Sequence, residues 1–277
     1  MARIEIAPFP GNKNMALTFS WDDGVEEDRP LVKFMNEHGL KGTFNLNSGN
    51  LGTPDRPASN KRIDASEVAS LYQGHEVAIH TVTHPHLAKL DASQIVREVI
   101  EDRVALEELV GYPVRGLAYP FGTFSQQVID ILRTMGIVYA RTTQMANPCF
   151  PPVEPLAWAP TGHMFSKAPE DMAERFKLMH ANPARSNVFF VWGHSYEFER
   201  KGDRWNEMHS LFEPMAGHDD VWYCTNIELF DYEAARKRVV IAANQKTAHN
   251  PNAVTVTLLV NGQPFEVPGG QTVNLPV

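Results

Sequence analysis

Four short polar clusters could carry chemistry: Asp22-Asp23 in SWDDG, His80 and His84 in HTVTH, the AYPFG turn at 118–122, and His194 in WGHSYEF. Each follows an apolar run of β character, so all four sit where a strand gives way to a loop. Two imidazoles four residues apart can each offer a neutral nitrogen to a divalent cation, and a nearby carboxylate completes a three-ligand set. Asp22 and Asp23 would then divide the work. One carboxylate holds the cation, and the other takes a proton from the water that the cation activates. The cation's charge offsets the repulsion between two adjacent acids. The plain alternative has His80 capping a strand, His84 on a loop and both acids solvated at a helix start. Glu26, Glu27 and Asp28 fit that last description better than acids abutting an apolar strand.

The elements that must position these residues alternate along the chain. Candidate strands cover 15–21, 41–46, 75–80, 114–120, 136–142, 186–194 and 221–225. Between them lie helical patterns: one from Pro30 to His38, DASEVASLYQ at 64–73, a long segment at 91–111 that opens on Asp91 and ends on Gly111, and 123–136. A last junction at 225–237 has Thr225 or Asn226 as its cap. Strand–helix alternation of this kind predicts an α/β fold, a distorted (β/α) barrel of about seven strands over residues 1–238. In such barrels chemistry gathers where strands run into their following loops. Residues 239–277 change texture to apolar–polar alternation, with Asn261-Gly262 marking a hairpin, and read as a small C-terminal β appendage. The five prolines of residues 145–160 predict an ordered loop crossing the barrel mouth.

Bulk properties narrow the function classes. At 277 residues with a net charge of -8, the chain lacks the clustered Lys and Arg that nucleic acid or an anionic membrane requires. Its two cysteines, Cys149 and Cys224, lie far apart, which disfavours a disulfide framework or a Cys-based zinc site. No apolar run reaches the ~18–20 residues of a membrane span. The N-terminus MARIEIAPFPGNKN lacks the apolar stretch of a signal peptide, so the expected location is cytoplasmic.

In that order and spacing, SWDDG, HTVTH, AYPFG and WGHSYEF resemble the polysaccharide deacetylase family with its NodB-type homology domain, carbohydrate esterase family 4. The family's usual forms are TFDDG, HSxxH, RPPYG and a late LxLH, and the resemblance runs from residue 15 to about 230. It implies a distorted (β/α) barrel and one divalent metal ion in an Asp-His-His site, zinc first, with cobalt, nickel or manganese as substitutes. The reaction it implies is hydrolytic removal of an acyl group from an amide nitrogen, typically an N-acetyl on a carbohydrate polymer. Position by position, Asp22 resembles the catalytic base, Asp23 the metal-binding carboxylate, and His80 and His84 the two metal histidines. The backbone N–H of Phe121 resembles the oxyanion donor. His194 resembles the general acid that protonates the leaving amine, a task suited to a pKa near the working pH.

Several positions depart from the family pattern. Ala118 stands where RPPYG has the Arg that holds the base carboxylate; Arg115 and Arg141 are the candidate substitutes. Gly193 stands where the late motif has a Leu lining the acyl pocket, leaving Trp192 and Tyr119 as candidate pocket walls. No Asp is evident to orient the acid, and Glu197 is the replacement weighed against an exposed acid in EFER. His86 lies beyond Pro85 and reads as supporting or surface. His38, His75, His163, His180, His209, His218 and His249 have no partner at ligand spacing. Trp158, Tyr196, Trp205 and Trp222 could stack on sugar rings or pack in the core. Three functions follow in order: a metal-dependent amide hydrolase acting on N-acylated carbohydrate, a hydrolase of a small cyclic amide as in the allantoinase-like branch, and a non-catalytic carbohydrate-binding protein. The partner is therefore a carbohydrate or small amide, with the oligomeric state undetermined by sequence.

Overall fold

The computed structural model describes residues 2–55, 61–145, 149–167, 171–182, 187–200 and 204–277. Strand β1 (Ile4–Ile6) precedes the central strand β2 (Met15–Asp22), whose residues are all buried. A run without polar alternation suits a parallel strand covered on both faces. Around β2 stand β3 (Gly42–Leu46), β4 (Glu76–Ile79), β5 (Gly116–Ala118), β6 (Tyr139–Arg141), β7 (Gly162–His163), β8 (Asn187–Gly193) and β9 (Val221–Tyr223). They pair in parallel in the order β6-β5-β4-β3-β2-β8-β7. Strand β9 pairs with Met15–Leu17 and β3 with Phe19–Asp22, so the two share one edge of β2. The sheet curls into a half-barrel, and residues 158–161 reach across its seam. Trp158 N–H donates to Ala140 O at 2.9 Å and Thr161 N–H to Phe190 O at 2.8 Å. All seven strands expected from the sequence are present; β7 is added, at two residues too short to show a period.

The helices are α1 (Asp28–Glu37), α2 (Val68–Leu71), α3 (Ala92–Val110), α4 (Gln126–Thr134), α5 (Met172–Ala181), α6 (Glu197–Arg200), α7 (Trp205–Phe212) and α8 (Asn226–Arg238). Asp91 and Gln94 form a capping box on α3, which stops at Gly111 with φ 75°. Thr225, rather than Asn226, caps α8 in a second box with Glu228. The helix expected over 64–73 shrinks to a 3-10 turn at Ala65–Glu67 and the single turn of α2. Helices α5 and α7 fall where the sequence reading places nothing, although Asp171 caps α5 by accepting from Glu174 N–H.

The period of two along β2 separates two environments. Leu17, Phe19 and Trp21 join the core beneath the helices. Ala16 joins Tyr139, Trp158, Phe190 and Phe230 on the other face. Above that apolar floor the same face carries buried polar side chains: Thr18, Ser20, Thr43, Asn45 and Glu76. Glu76 accepts from Thr43 Oγ1, Tyr139 OH and Ile227 N–H at 2.7–2.9 Å. Burial pushes its carboxyl up to about 7, against the pull of those donors.

The described prolines of residues 145–160, Pro151, Pro152, Pro155 and Pro160, do not cross the mouth. Cys149 bridges Asn187 at the first residue of β8, the end away from the four clusters, because Phe150 buries its ring there against Trp158 and Phe230. Residues 146–148 of that expectation lie outside the described ones. Beyond α8, strands β10 (Val240–Ile241), β11 (Thr247–His249), β12 (Val256–Val260), β13 (Gln263–Val267) and β14 (Thr272–Asn274) form two antiparallel sheets, β1-β12-β13 and β10-β11-β14. Asn261 and Gly262 turn the β12–β13 hairpin with φ of 52° and 81°, as the sequence predicts. Val256, Leu258 and Val260 pack on Tyr232 and Ala235 of α8. Among the described residues, no helix is long and apolar enough to cross a membrane.

Strands β5 and β6 touch most closely at Gly116, where an added Cβ would lie 2.2 Å from the Tyr139 ring and hydroxyl. Gly116→Ala is expected to push that ring off Glu76 and to lower stability by about 1–3 kcal/mol. Urea unfolding measures this, and an unchanged midpoint would contradict the packing described.

Candidate active site

Six strand ends supply the site. Asp22 ends β2, His80 follows β4, Ala118 ends β5, Arg141 ends β6, His163 ends β7 and His194 follows β8. The period of two that buries Ser20 and Asn45 points Asp22 the same way.

Asp22 is 3% exposed, and Arg141 is wholly buried beside it. Arg141 Nη2 donates to both carboxylate oxygens, 2.6 Å to Oδ1, and Asn45 Nδ2 donates to Oδ1 at 2.9 Å. Burial by itself would raise the Asp22 pKa. The charges of Arg141, His80 and His194 outweigh it and hold the carboxyl below its usual range. Arg141 also lies over the Trp192 ring, 4.8 Å from its centroid. Of the two arginines weighed from the sequence, Arg141 therefore meets Asp22. Arg115 does not: it is two residues earlier than β5's midpoint, on the outside, where it forks onto Asp231 of α8 at 3.0 and 2.7 Å.

Asp23 turns away from its neighbour because its φ is 87°, in the left-handed region. Its Oδ1 is buried and accepts no hydrogen bond. That oxygen lies 4.0 Å from His80 Nε2, 3.7 Å from His84 Nε2 and 3.4 Å from Arg62 Nη1. The ligand atoms of Asp23, His80 and His84 fall within 4.8 Å of one another. His80 Nδ1 donates to Ala118 O at 2.7 Å, which places its hydrogen there and leaves the Nε2 lone pair facing Asp23. Burial pushes His80 down to about 4 and lowers His84 as well, so both rings favour the neutral, ligating form. An orphaned carboxylate oxygen facing two neutral imidazoles is a donor set that fits a divalent cation. Asp102 supports it from α3: its oxygens accept from Ser48 N–H at 2.7 Å and His80 N–H at 3.1 Å, while burial lifts its carboxyl to about 7.

His194 Nδ1 donates to Glu197 Oε1 at 2.8 Å, and its Nε2 lies 3.9 Å from Asp22 Oδ2. Burial opposes protonation of this ring, but the Glu197 hydrogen bond and the charges of Asp22 and Asp23 prevail and raise its pKa. Glu197 is drawn well below the carboxylate range by His163 and His194, against its own partial burial. Tyr196 stacks on His194 with centroids 4.8 Å apart. A cavity of about 470 Å³ opens beside Asp23, lined by Val25, Glu27, Lys61, Arg62, Tyr196 and Glu199. Phe121, with φ 58° and its ring 55% exposed, meets His84 edge-on at 4.6 Å and stacks on His86 at 3.9 Å.

Two candidate pocket walls separate. Trp192 is half-buried between His163 and His194, at 4.7 and 5.7 Å. Tyr119 is no wall: it is 1% exposed, and its hydroxyl donates to Leu156 O at 2.7 Å. The reason is strand alternation, which sends Tyr119 opposite to Ala118 and His80's partner carbonyl. A Cβ on Gly193 would lie 2.8 Å from Met164 Sδ, so Met164 fills the space that a Leu there would claim. Trp158 belongs to the core and Trp205 stacks on Phe198. Sequence reasoning missed Asn45, Asp102, Arg62 and the pairing of His163 with Glu197. No signal in the sequence marks that pairing, because the two-residue strand that carries His163 is too short to show a period.

Known proteins resemble this chain over part or most of its length. Residues 10–140 match the family model described as polysaccharide deacetylase, a span that holds Asp22, Asp23, His80, His84 and Phe121 but stops before Arg141 and His194. A peptidoglycan-N-acetylglucosamine deacetylase of Bacillus cereus is 32% identical over 114 residues, 41% of this chain and 38% of that protein. The chain thus spans well under half the length of that relative. In solved structures, a candidate polysaccharide deacetylase from Mycobacterium smegmatis covers 84% of this chain and 96% of its own, with a TM-score of 0.58 at 19% identity. The Xyl-CE4 domain of a multidomain xylanase, from the hindgut metagenome of Trinervitermes trinervoides, covers 81% and 93%, with a TM-score of 0.55 at 17% identity. These two likenesses show the fold.

Removing Arg141 leaves a buried carboxylate without its counter-charge. Arg141→Met is expected to cost about 3–5 kcal/mol in a urea melt, with the divalent-ion content per chain unchanged because Asp23, His80 and His84 are untouched. The paired variant His80→Ala, His84→Ala is expected to lose that ion by metal analysis. Retention of the ion there would remove the assignment.

Proposed function

We propose that this chain, which matches the polysaccharide deacetylase family model over residues 10–140, is a divalent-metal-dependent hydrolase that removes the acetyl group from the amide nitrogen of an N-acetylated carbohydrate. One observation supports the reading most: two adjacent carboxylates face different partners, Asp22 toward Arg141 and His194, Asp23 toward His80 and His84. That is the separation of proton transfer from cation binding which metal-assisted amide hydrolysis uses.

Asp23, His80 and His84 would hold the cation. When bound, it supplies the polarisation of the acyl carbonyl and the acidification of water that a carboxylate as weakly basic as Asp22 needs. Asp22 takes the proton from the attacking water, oriented by Arg141 and Asn45 so that its charge stays in one place. The backbone N–H of Phe121, a residue in a left-handed turn whose ring meets His84, would donate to the oxygen that gains charge. His194 then gives the proton from Nε2 to the departing nitrogen, the carbon–nitrogen bond breaks, and acetate and a free amine leave. Glu197 steadies the imidazolium form that precedes this step. Trp192, with its ring centroid 5.7 Å from that of His194, would bound the space where a small acyl group sits.

Acetate release from N-acetylglucosamine oligomers is the deciding assay; turnover of cyclic ureides in its place would overturn the reading. Asp22→Asn should keep the ion and lose about a hundredfold or more in kcat. The acid must be protonated to act, so activity falls as pH rises through the His194 pKa. Because that pKa is raised, the basic limb of kcat/KM is expected above pH 6.5. A limb below that value would argue against His194 as the acid.

A further inference from the structure

Glu197 presents one oxygen to two imidazoles. Its Oε1 accepts from His194 Nδ1 and from His163 Nε2, each at 2.8 Å. The sheet builds this arrangement: β7 and β8 are neighbours, with His163 in register with Trp192, and Glu197 opens α6 one turn after His194. The tautomers follow from the remaining bonds. His163 Nδ1 accepts Phe165 N–H at 3.3 Å, which leaves the His163 hydrogen on Nε2, facing Glu197. His194 Nδ1 likewise carries the hydrogen that Glu197 accepts, so its Nε2 is the nitrogen turned toward Asp22. Both nitrogens facing Glu197 therefore bear hydrogen. This compact His-His-Glu group is a hydrogen-bond relay rather than a set of lone pairs.

Two donors on one oxygen compete, since each withdraws charge that would otherwise strengthen the other's bond. A general acid needs its partner carboxylate for orientation and must still release its proton. A carboxylate given wholly to His194 would retain that proton as an imidazolium pair. We propose that His163 is a positioning residue for the acid, which by holding a share of Glu197 Oε1 fixes the orientation of the His194 ring and limits how tightly Glu197 keeps its proton. The catalytic consequence rests on the deacetylase reading; the relay does not. The charged and titratable groups facing His194 are Asp22 at the end of β2, Asp23 just after it, His84 from the loop after β4, Tyr196 stacked on the ring and Glu197 from α6, with His163 of β7 reaching it through Glu197.

Nitrogen-15 NMR of the imidazole rings in the full chain tests the relay without substrate. His163→Phe is expected to raise the His194 pKa by about half a unit, a roughly threefold gain in proton affinity. His163→Gln, whose amide N–H can stand in for Nε2–H, should stay within about 0.2 unit, and Glu197→Gln should lower the pKa by about one unit. In turnover, His163→Phe should move the basic limb of kcat/KM upward by the same amount. A folded His163→Phe with an unmoved His194 titration would overturn the proposal, as would His163→Gln behaving like His163→Phe. If the titrations shift as stated while the unmodified protein releases no acetate, the relay holds and the deacetylase reading fails. If acetate is released and the titrations stand still, the relay alone fails.

Discussion

The site depends on one buried ion pair. Arg141 is wholly buried and Asp22 nearly so, and each would be untenable there alone. Together they set the rest. Arg141 is the last residue of β6, an edge strand, so its reach to the end of the central strand requires the sheet to curl. The seam at Trp158 and Thr161 ties that edge back to β8 and keeps the curl in place. Tyr139, two residues earlier on the same strand, is pinned by Glu76 beneath. The ion pair thus links a catalytic requirement, an ionised carboxylate held still, to a topological one.

Against that fixed pair, the loops carry strain. Of eight non-glycine residues with positive φ among the described ones, four stand at the site: Asp23, Thr81, His84 and Phe121. Each costs of the order of 1–3 kcal/mol and persists only where the surroundings over-determine it. Here they do: Asp23 N–H binds Asn45 O, Asn47 holds the carbonyls of His80 and Thr81, and Thr81 Oγ1 accepts His84 N–H. The left-handed turn at Asp23 is what lets two neighbouring acids face different partners.

The sequence makes some of this legible and hides the rest for physical reasons. Asp22, Asp23, His80 and His84 stand out because their residue types are costly at the ends of apolar strands unless something answers them. The seven strands show in their apolar runs, and the hairpin shows in Asn261-Gly262. Arg141 and Arg115 look equivalent on paper. Only curvature decides between them, since a strand's alternation gives a face and not a distance. His163 and Glu197 are 34 residues apart, joined by strands that a linear reading does not pair. Tyr119 misleads because it sits inside AYPFG, one residue after Ala118, yet its side chain is buried away from the site. The proline-rich segment misleads because prolines predict order without predicting direction.

The first strand has a different lesson. Ile4–Ile6 belongs to a sheet whose other members, β12 and β13, come after the whole barrel, and Arg3 N–H bonds Asn261 across a separation of 258 residues. During synthesis β1 must therefore wait, unpaired, while every barrel strand emerges and docks. Closing so long a loop is entropically slow but adds little to the final cost, because the penalty grows only with the logarithm of length. The appended sheets act as a clasp on the chain: only once β12 and β13 have emerged can its beginning be fastened beside α8.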